Sequence, residues 1–161
     1  MKSHTGDLKK EMSNTPARSR IKIQELRQAS AKSLAEINAL LPQLSKTPKP
    51  LSLKLLDSIV RDKNIRLVVA KEGTQIVGMA TLILMVAPNG KRAKVEDVVV
   101  DEKYRGKGIG EKISKKLVAI AKSKKVRRIE LTTGQRRIAA HRLYEKIGFK
   151  KKDSDVYRIT F

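Results

Sequence analysis

Between the apolar run Val98-Val99-Val100 and a lysine-studded amphipathic segment lies Asp101-Glu-Lys-Tyr-Arg-Gly-Lys-Gly-Ile-Gly-Glu111, with glycines at 106, 108 and 110. No other feature constrains the fold as strongly. The apolar run reads as a strand. The following segment carries Ile109, Ile113, Leu117 and Ile120 at helical spacing, so it reads as a helix. A glycine-rich turn from a strand into a helix N-terminus is a recurring phosphate cradle, because the backbone comes close and unpaired N–H groups face the ligand. Arg105 and Lys107 place positive charge where a diphosphate would sit. The GxGxG spacing matches neither the P-loop GxxxxGK[ST] nor the dinucleotide fingerprint GxGxxG. Taken alone, the loop fits equally well a glycine-softened connection on a basic protein.

The flanking pattern sets the architecture. Residues 1–20 are polar, mixed in charge and rich in Ser, Thr and Lys, which predicts a flexible tail. The rest, 21–161, predicts a single domain. Ile21-Lys-Ile23 predicts a strand. Ser30 to Leu41 predicts a helix, with Ser33 and Glu36 at capping-box spacing and Pro42 as its stop. Ser52 is placed to cap a second helix that turns Leu53, Leu56, Ile59 and Val60 inward. Ile65–Ala70, Gln75–Val86 and Ala93–Val100 then predict three strands joined by tight turns, an antiparallel meander. Arg128–Thr132 is reached through the long helix and should lie parallel to its predecessor. A last helix over Ile138–Ile147 ends at Gly148. Phe149–Lys151 and Val156–Phe161 predict a closing hairpin around Asp153-Ser-Asp155. The fold class is α/β (α+β).

Two motifs in this order carry a resemblance. Arg105-x-x-Gly108-x-Gly110 is similar to the R/Q-x-x-G-x-G/A signature of the GNAT superfamily of N-acetyltransferases. Ala140-His-Arg-Leu-Tyr-Glu-Lys-Ile-Gly-Phe149 resembles that family's A-x-x-x-Y-x-x-x-G-F signature. The resemblance spans about residues 21–161. It implies a mixed, mostly antiparallel sheet with splayed parallel central strands flanked by helices. It also implies an enzyme that moves an acetyl group from acetyl-CoA to a primary amine, on a small molecule or a peptide. Carried onto this chain, Arg105, Gly106, Lys107, Gly108, Ile109 and Gly110 would hold the pyrophosphate. The main chains of Val98 and Val100 would bond the pantetheine arm. Many relatives carry Asn three residues before the alanine of the second signature; here that position is Arg137.

Acetyl transfer to an amine asks for a base, because an alkyl amine is protonated at neutral pH, and for a donor to the leaving thiolate. The resemblance implies Tyr144 as that donor, although the position also suits a core tyrosine between Leu143 and Ile147. It implies Glu96 as the base, directly or through water, with the neighbouring Asp97 as the second candidate. Simple strand alternation places Glu96 with Val98 and Val100, and Asp97 with Val95 and Val99. Each carboxylate also suits an ion pair on a lysine-rich surface. His141 shares a helix face with Tyr144 and suits a partly exposed position.

The formal net charge is +21, and from Lys103 to Arg128 there are eleven basic residues against one acid, Glu111. Such a surface recruits anionic CoA and is compatible with an acidic acceptor or protein partner. It gives weaker support to nucleic acid, because only five aromatics are present and none precedes Tyr104. A non-catalytic module of the same fold, binding nucleic acid or an acidic protein, is the alternative reading. There is no cysteine, and the two histidines are far apart, so no metal cluster is visible. No run approaches a membrane span, and the first residues lack a secretory apolar stretch. These features predict a cytoplasmic protein that contacts no membrane, as a monomer or homodimer.

Overall fold

The computed structural model describes residues 21–161; the expected tail at 1–20 lies outside the described residues. In order along the chain are β1 (Ile21–Glu25), α1 (Ala31–Leu44), α2 (Leu53–Arg61), β2 (Ile65–Glu72), β3 (Gln75–Ala87) and β4 (Gly90–Val100). A short 3-10 turn (Glu102–Tyr104) follows, then α3 (Ile109–Ser123), β5 (Ile129–Leu131) and α4 (Ile138–Lys146). The five strands form one mixed sheet in the order β1-β2-β3-β4-β5. The first four run antiparallel, and β5 joins β4 in parallel through the α3 crossover.

Helices cover both faces of the sheet. On one, the α3 stripe Ile109, Ile113, Leu117 and Ile120 packs against Val68, Ala70, Val77, Ala80, Leu82, Ala93 and Val95. On the other, Ile37 and Leu40 of α1 and Leu56 of α2 pack against Leu67, Val69, Ile76, Met79 and Val99. The helical spacing of the α3 residues is what lets one side be fully apolar while the lysines stay outside.

A bulge in β4 decides which side chains face which layer. Thr81 pairs with Glu96, yet Met79 pairs with Val99, so β4 spends one residue more than β3 between these points. An extra residue shifts the period-2 alternation, and every side chain beyond it changes face. Ala93 and Val95 face α3 before the bulge. Beyond it Val98 and Val100 face α3, and Val99 packs on the α1 and α2 side. The simple alternation expected from sequence therefore fails here. Glu96 does not share a face with Val98 and Val100. It lies beside Lys94, on the same side as the α1 and α2 layer. Asp97 sits in the bulge at φ 56°, in the left-handed region.

Three local expectations are corrected. Pro42 does not stop α1, which continues to Leu44. In the last turn a proline removes a single backbone bond, a loss the end of a helix accommodates. The α1 capping box is formed by Ser30 and Ser33, not by Ser33 and Glu36. Glu36 instead accepts from the Ile76 N–H at 3.2 Å. The closing hairpin does not form, and residues 149–161 carry no strand. Phe149 is drawn onto Tyr144 at the end of α4. That leaves Lys150-Lys151-Lys152, three adjacent like charges, where the first hairpin strand would pair.

Leu117 is fully buried in the α3 layer. Leu117→Ala should destabilise the chain by about 2–5 kcal/mol, from lost transfer energy and a residual cavity. A denaturant midpoint unchanged from wild type would mean that this helix is not packed as described.

Candidate functional site

The glycines of the loop are of two kinds. Gly106 and Gly108 adopt φ of 75° and 73°, which disfavours any side chain. Gly108 is the N-cap of α3 and carries no capping side chain. The first backbone bond of α3 runs from the Lys112 N–H to the Gly108 carbonyl at 3.1 Å. The N–H groups of Ile109, Gly110 and Glu111 therefore have no intrahelical acceptor, and they point out of the helix at its positive end. Gly110 has ordinary helical geometry. A Cβ there would lie 3.4 Å from Leu143 Cδ2, an ordinary contact with α4, so the position has room for alanine.

The two loop cations are held by the protein. Lys107 Nζ sits 4.9 Å from the centre of the Tyr104 ring, and the Tyr104 hydroxyl donates to Glu72 Oε2 at 2.5 Å. Arg105 turns back, donating from Nε to the Val100 carbonyl at 3.0 Å and from Nη2 to Gln43 Oε1 at 3.2 Å. Gln43 Oε1 also accepts the Glu102 N–H at 2.9 Å. The end of α1 is thereby pinned to the turn that precedes the glycines. No local pattern in the sequence marks Gln43 for this role, because its partners lie about sixty residues away.

Beside the loop, β4 has an open edge. Its pairing with β5 covers Ala93, Lys94 and Val95 only. From Glu96 to Val100 no strand among the described residues lies on that side. Val98 and Val100 are in this stretch, next to the start of α3. The Val100 carbonyl accepts from Arg105, and the remaining unpaired backbone groups of such an edge need a partner. Glu96 forms an ion pair with Lys94 at 2.5 Å. Asp97 has its carboxyl pKa raised, first by desolvation and then by the adjacent Glu96 charge. Its side chain still reaches solvent, which tempers the push.

Tyr144 is buried on α4, with its ring edge-on to Phe149 at 5.8 Å between centroids. Its hydroxyl has no hydrogen-bond partner among the described residues, and it is not sealed from solvent. Desolvation raises its pKa, and the Arg137 charge opposes that shift. Arg137 Nη2 donates to the Leu44 carbonyl at 3.1 Å, tying α4 to the end of α1. An arginine at this position thus spans a gap that an asparagine is too short to cross. His141 Nε2 lies 3.2 Å from the Gly134 carbonyl, a local contact at the start of α4. Glu111 bridges Lys115 and Lys146, each at 2.7 Å. Those two bonds lower its pKa to about 2, and the one to Lys146 joins α4 to α3.

Loop, open edge and α4 tyrosine therefore gather at the C-terminal end of β4. Among the described residues no group of three or more His, Cys, Asp or Glu is placed to hold a metal ion. No helix among them is long and apolar enough to cross a membrane.

The family described as Acetyltransferase (GNAT) matches residues 31–149. A glucosamine 6-phosphate N-acetyltransferase from Trypanosoma brucei brucei is 38% identical over 81 residues, 47% of this chain and 52% of its own. The chain thus spans about half the length of that relative. Among solved structures, a Trypanosoma brucei acetyltransferase superposes with a TM-score of 0.73 at 27% identity, covering 88% of this chain and 100% of its own. A transcriptional regulator from Bacillus halodurans gives the same TM-score and coverage at 29% identity.

The two kinds of glycine predict opposite responses. Gly108→Ala should cost about 1–2 kcal/mol, because it forces a side chain into left-handed backbone. Gly110→Ala should be neutral or stabilising by up to about 1 kcal/mol, because alanine favours the helix. Thermal melting of the two variants checks this, and equal losses would contradict the assignment.

Proposed function

The chain belongs to the GNAT acetyltransferase family, and on that footing we propose that it transfers the acetyl group of acetyl-CoA directly to a primary amine. The observation that carries this reading is the open edge of β4 from Glu96 to Val100, lying beside the free N–H groups of α3. An extended arm with amide groups fits the edge as an added strand, bonding the main chains of Val98 and Val100. The diphosphate then falls on the 106–111 backbone at the positive end of α3. Arg105 shapes that loop from behind, and Lys107 adds a charge at its rim.

Tyr144 supplies the proton to the departing thiolate. Its raised pKa keeps the phenol protonated at neutral pH, and its hydroxyl has no competing protein acceptor among the described residues. For the amine proton, the bulge shifts weight from Glu96 to Asp97. Glu96 is held by Lys94, whereas Asp97 has its carboxyl pKa raised by desolvation and takes the more exposed position. Glu96 then serves as the neighbouring charge that raises Asp97, or takes the proton through water. Lys46 and Lys49 are exposed in the α1–α2 connection, which begins where Arg137 bonds the Leu44 carbonyl, so the flank of the molecule around the end of α1 is positive. That charge favours an amine that also carries a phosphate or carboxylate. The name of the Trypanosoma relative, a glucosamine 6-phosphate enzyme, fits such a substrate.

A thiol-release screen of anionic and neutral amines with acetyl-CoA tests the reading. Release with at least one amine is expected, and none across the panel would overturn it. Tyr144→Phe should lower kcat by about 10²–10⁴-fold while leaving acetyl-CoA binding near wild type. Full activity in that variant would remove the proton-donor role. Asp97 is charged only above its raised pKa, so kcat/KM should climb with pH through that value and flatten above it. Asp97→Asn should abolish this acid limb and Glu96→Gln should move it to lower pH. An acid limb that survives in Asp97→Asn would return the base role to Glu96.

A further inference from the structure

About 30 Å along β4 from the glycine loop, the sheet ends in a second basic site. There the β3–β4 turn and the α3–β5 connection close on one another. The Lys91 carbonyl accepts the Arg127 N–H at 2.8 Å, and the Arg128 carbonyl accepts the Ala93 N–H at 3.0 Å. Arg127 Nη1 donates to Asn89 Oδ1 at 2.9 Å. These bonds fix a cleft of about 200 Å³ lined by Pro88, Asn89, Lys91, Arg92, Arg127 and Arg128, with Ala87 and Gly90 at the turn.

The lining holds four cations and no carboxylate. Arg128 is neutralised by Glu130 at 3.1 Å. Lys91, Arg92 and Arg127 form no ion pair among the described residues. Three unneutralised cations on one small cleft repel one another and leave their donors for solvent. Arg92 goes further, because its Nε is buried and has no hydrogen-bond partner among the described residues. That atom is sealed from solvent and cannot itself meet an anion, so the outer guanidinium nitrogens, which have no acceptor among the described residues, are the donors Arg92 offers. The cleft is several times the roughly 30 Å³ a water occupies, so a tetrahedral oxyanion and part of its carrier fit. Arginine forks and a lysine ammonium are the donors such an oxyanion uses.

We propose that this cleft binds a phosphate group through Lys91, Arg92 and Arg127. The phosphate is either the terminal group of a small phosphorylated molecule or a phosphodiester of nucleic acid, and the donors serve both alike. No aromatic side chain lines the cleft, so bases would not stack there and any nucleic acid would be held by its backbone. The site stands apart from the glycine loop and does not depend on acetyl transfer.

The test is a titration of inorganic pyrophosphate into the isotopically labelled chain at about 0.15 M ionic strength, read as backbone amide shifts. Saturable shifts at Lys91, Arg92, Arg127 and Arg128 are expected, separable from any at residues 106–111. Arg92→Gln should weaken that binding by about tenfold or more. Lys91→Gln, an exposed change with no effect on folding, should weaken it in the same sense. A parallel titration with a short DNA duplex separates the sources. Shifts at the same four amides, reversed by pyrophosphate, assign a phosphodiester. Pyrophosphate binding without duplex binding assigns a small phosphorylated molecule. Shifts that grow linearly without saturation overturn the proposal. So do Arg92→Gln and Lys91→Gln chains that bind as wild type does.

Discussion

One extra residue in β4 organises the candidate site. Without the bulge between Glu96 and Val99, β4 would keep a single alternation, and Val98 and Val100 could not share the α3 face with Ala93 and Val95. With it, Val98 and Val100 turn to α3 and Val99 to the opposite layer. The carboxylates of Glu96 and Asp97 are left where the two faces exchange. Bulges bend and twist the strand that carries them. Here the strand parts from β5 beyond Val95. Asp97 holds a left-handed φ of 56°, a conformation that persists only where the surrounding structure imposes it.

Longer-range bonds hold the rest of the site against that edge. Gln43 joins α1 to the turn before the glycines, and Arg137 joins α1 to α4. Glu111 joins α3 to α4 through Lys146, next to where Gly110 faces Leu143. Each bond links elements that are distant in sequence, so the loop, the edge and Tyr144 are positioned as one unit. Exposed ion pairs of this kind contribute little to stability. Their value lies in fixing directions, which matters most where a proton must pass between two defined atoms.

Much of this was legible in the sequence. The α3 stripe, the meander, the parallel β5 and the cap at Gly148 follow from apolar period and turn chemistry, both local signals. The loop glycines were legible as a group, but not as two kinds, because positive φ at 106 and 108 and helical geometry at 110 look identical in letters. The bulge was illegible. Nothing in Val95-Glu-Asp-Val-Val-Val100 says that one residue is unpaired, because the partner strand decides it. Pro42 misled because the cost of proline depends on how near the helix end lies. The hairpin at 149–161 misled because alternation in Val156–Phe161 states a tendency to pair, and not the presence of a partner. Arg137 stood out as a departure from the family pattern, and only its contact with Leu44 gives it a role.

The claim on which the rest turns is that the open half of β4 and the start of α3 together receive acetyl-CoA. Amide hydrogen exchange, compared with and without saturating acetyl-CoA, measures this directly. The account predicts slowed exchange at Val98 and Val100 and at residues 106–111, with the amides of β1 and α2 unchanged. Exchange at Val98, Val100 and the loop that is the same in both conditions, while acetyl-CoA is bound, would place the ligand elsewhere and contradict it.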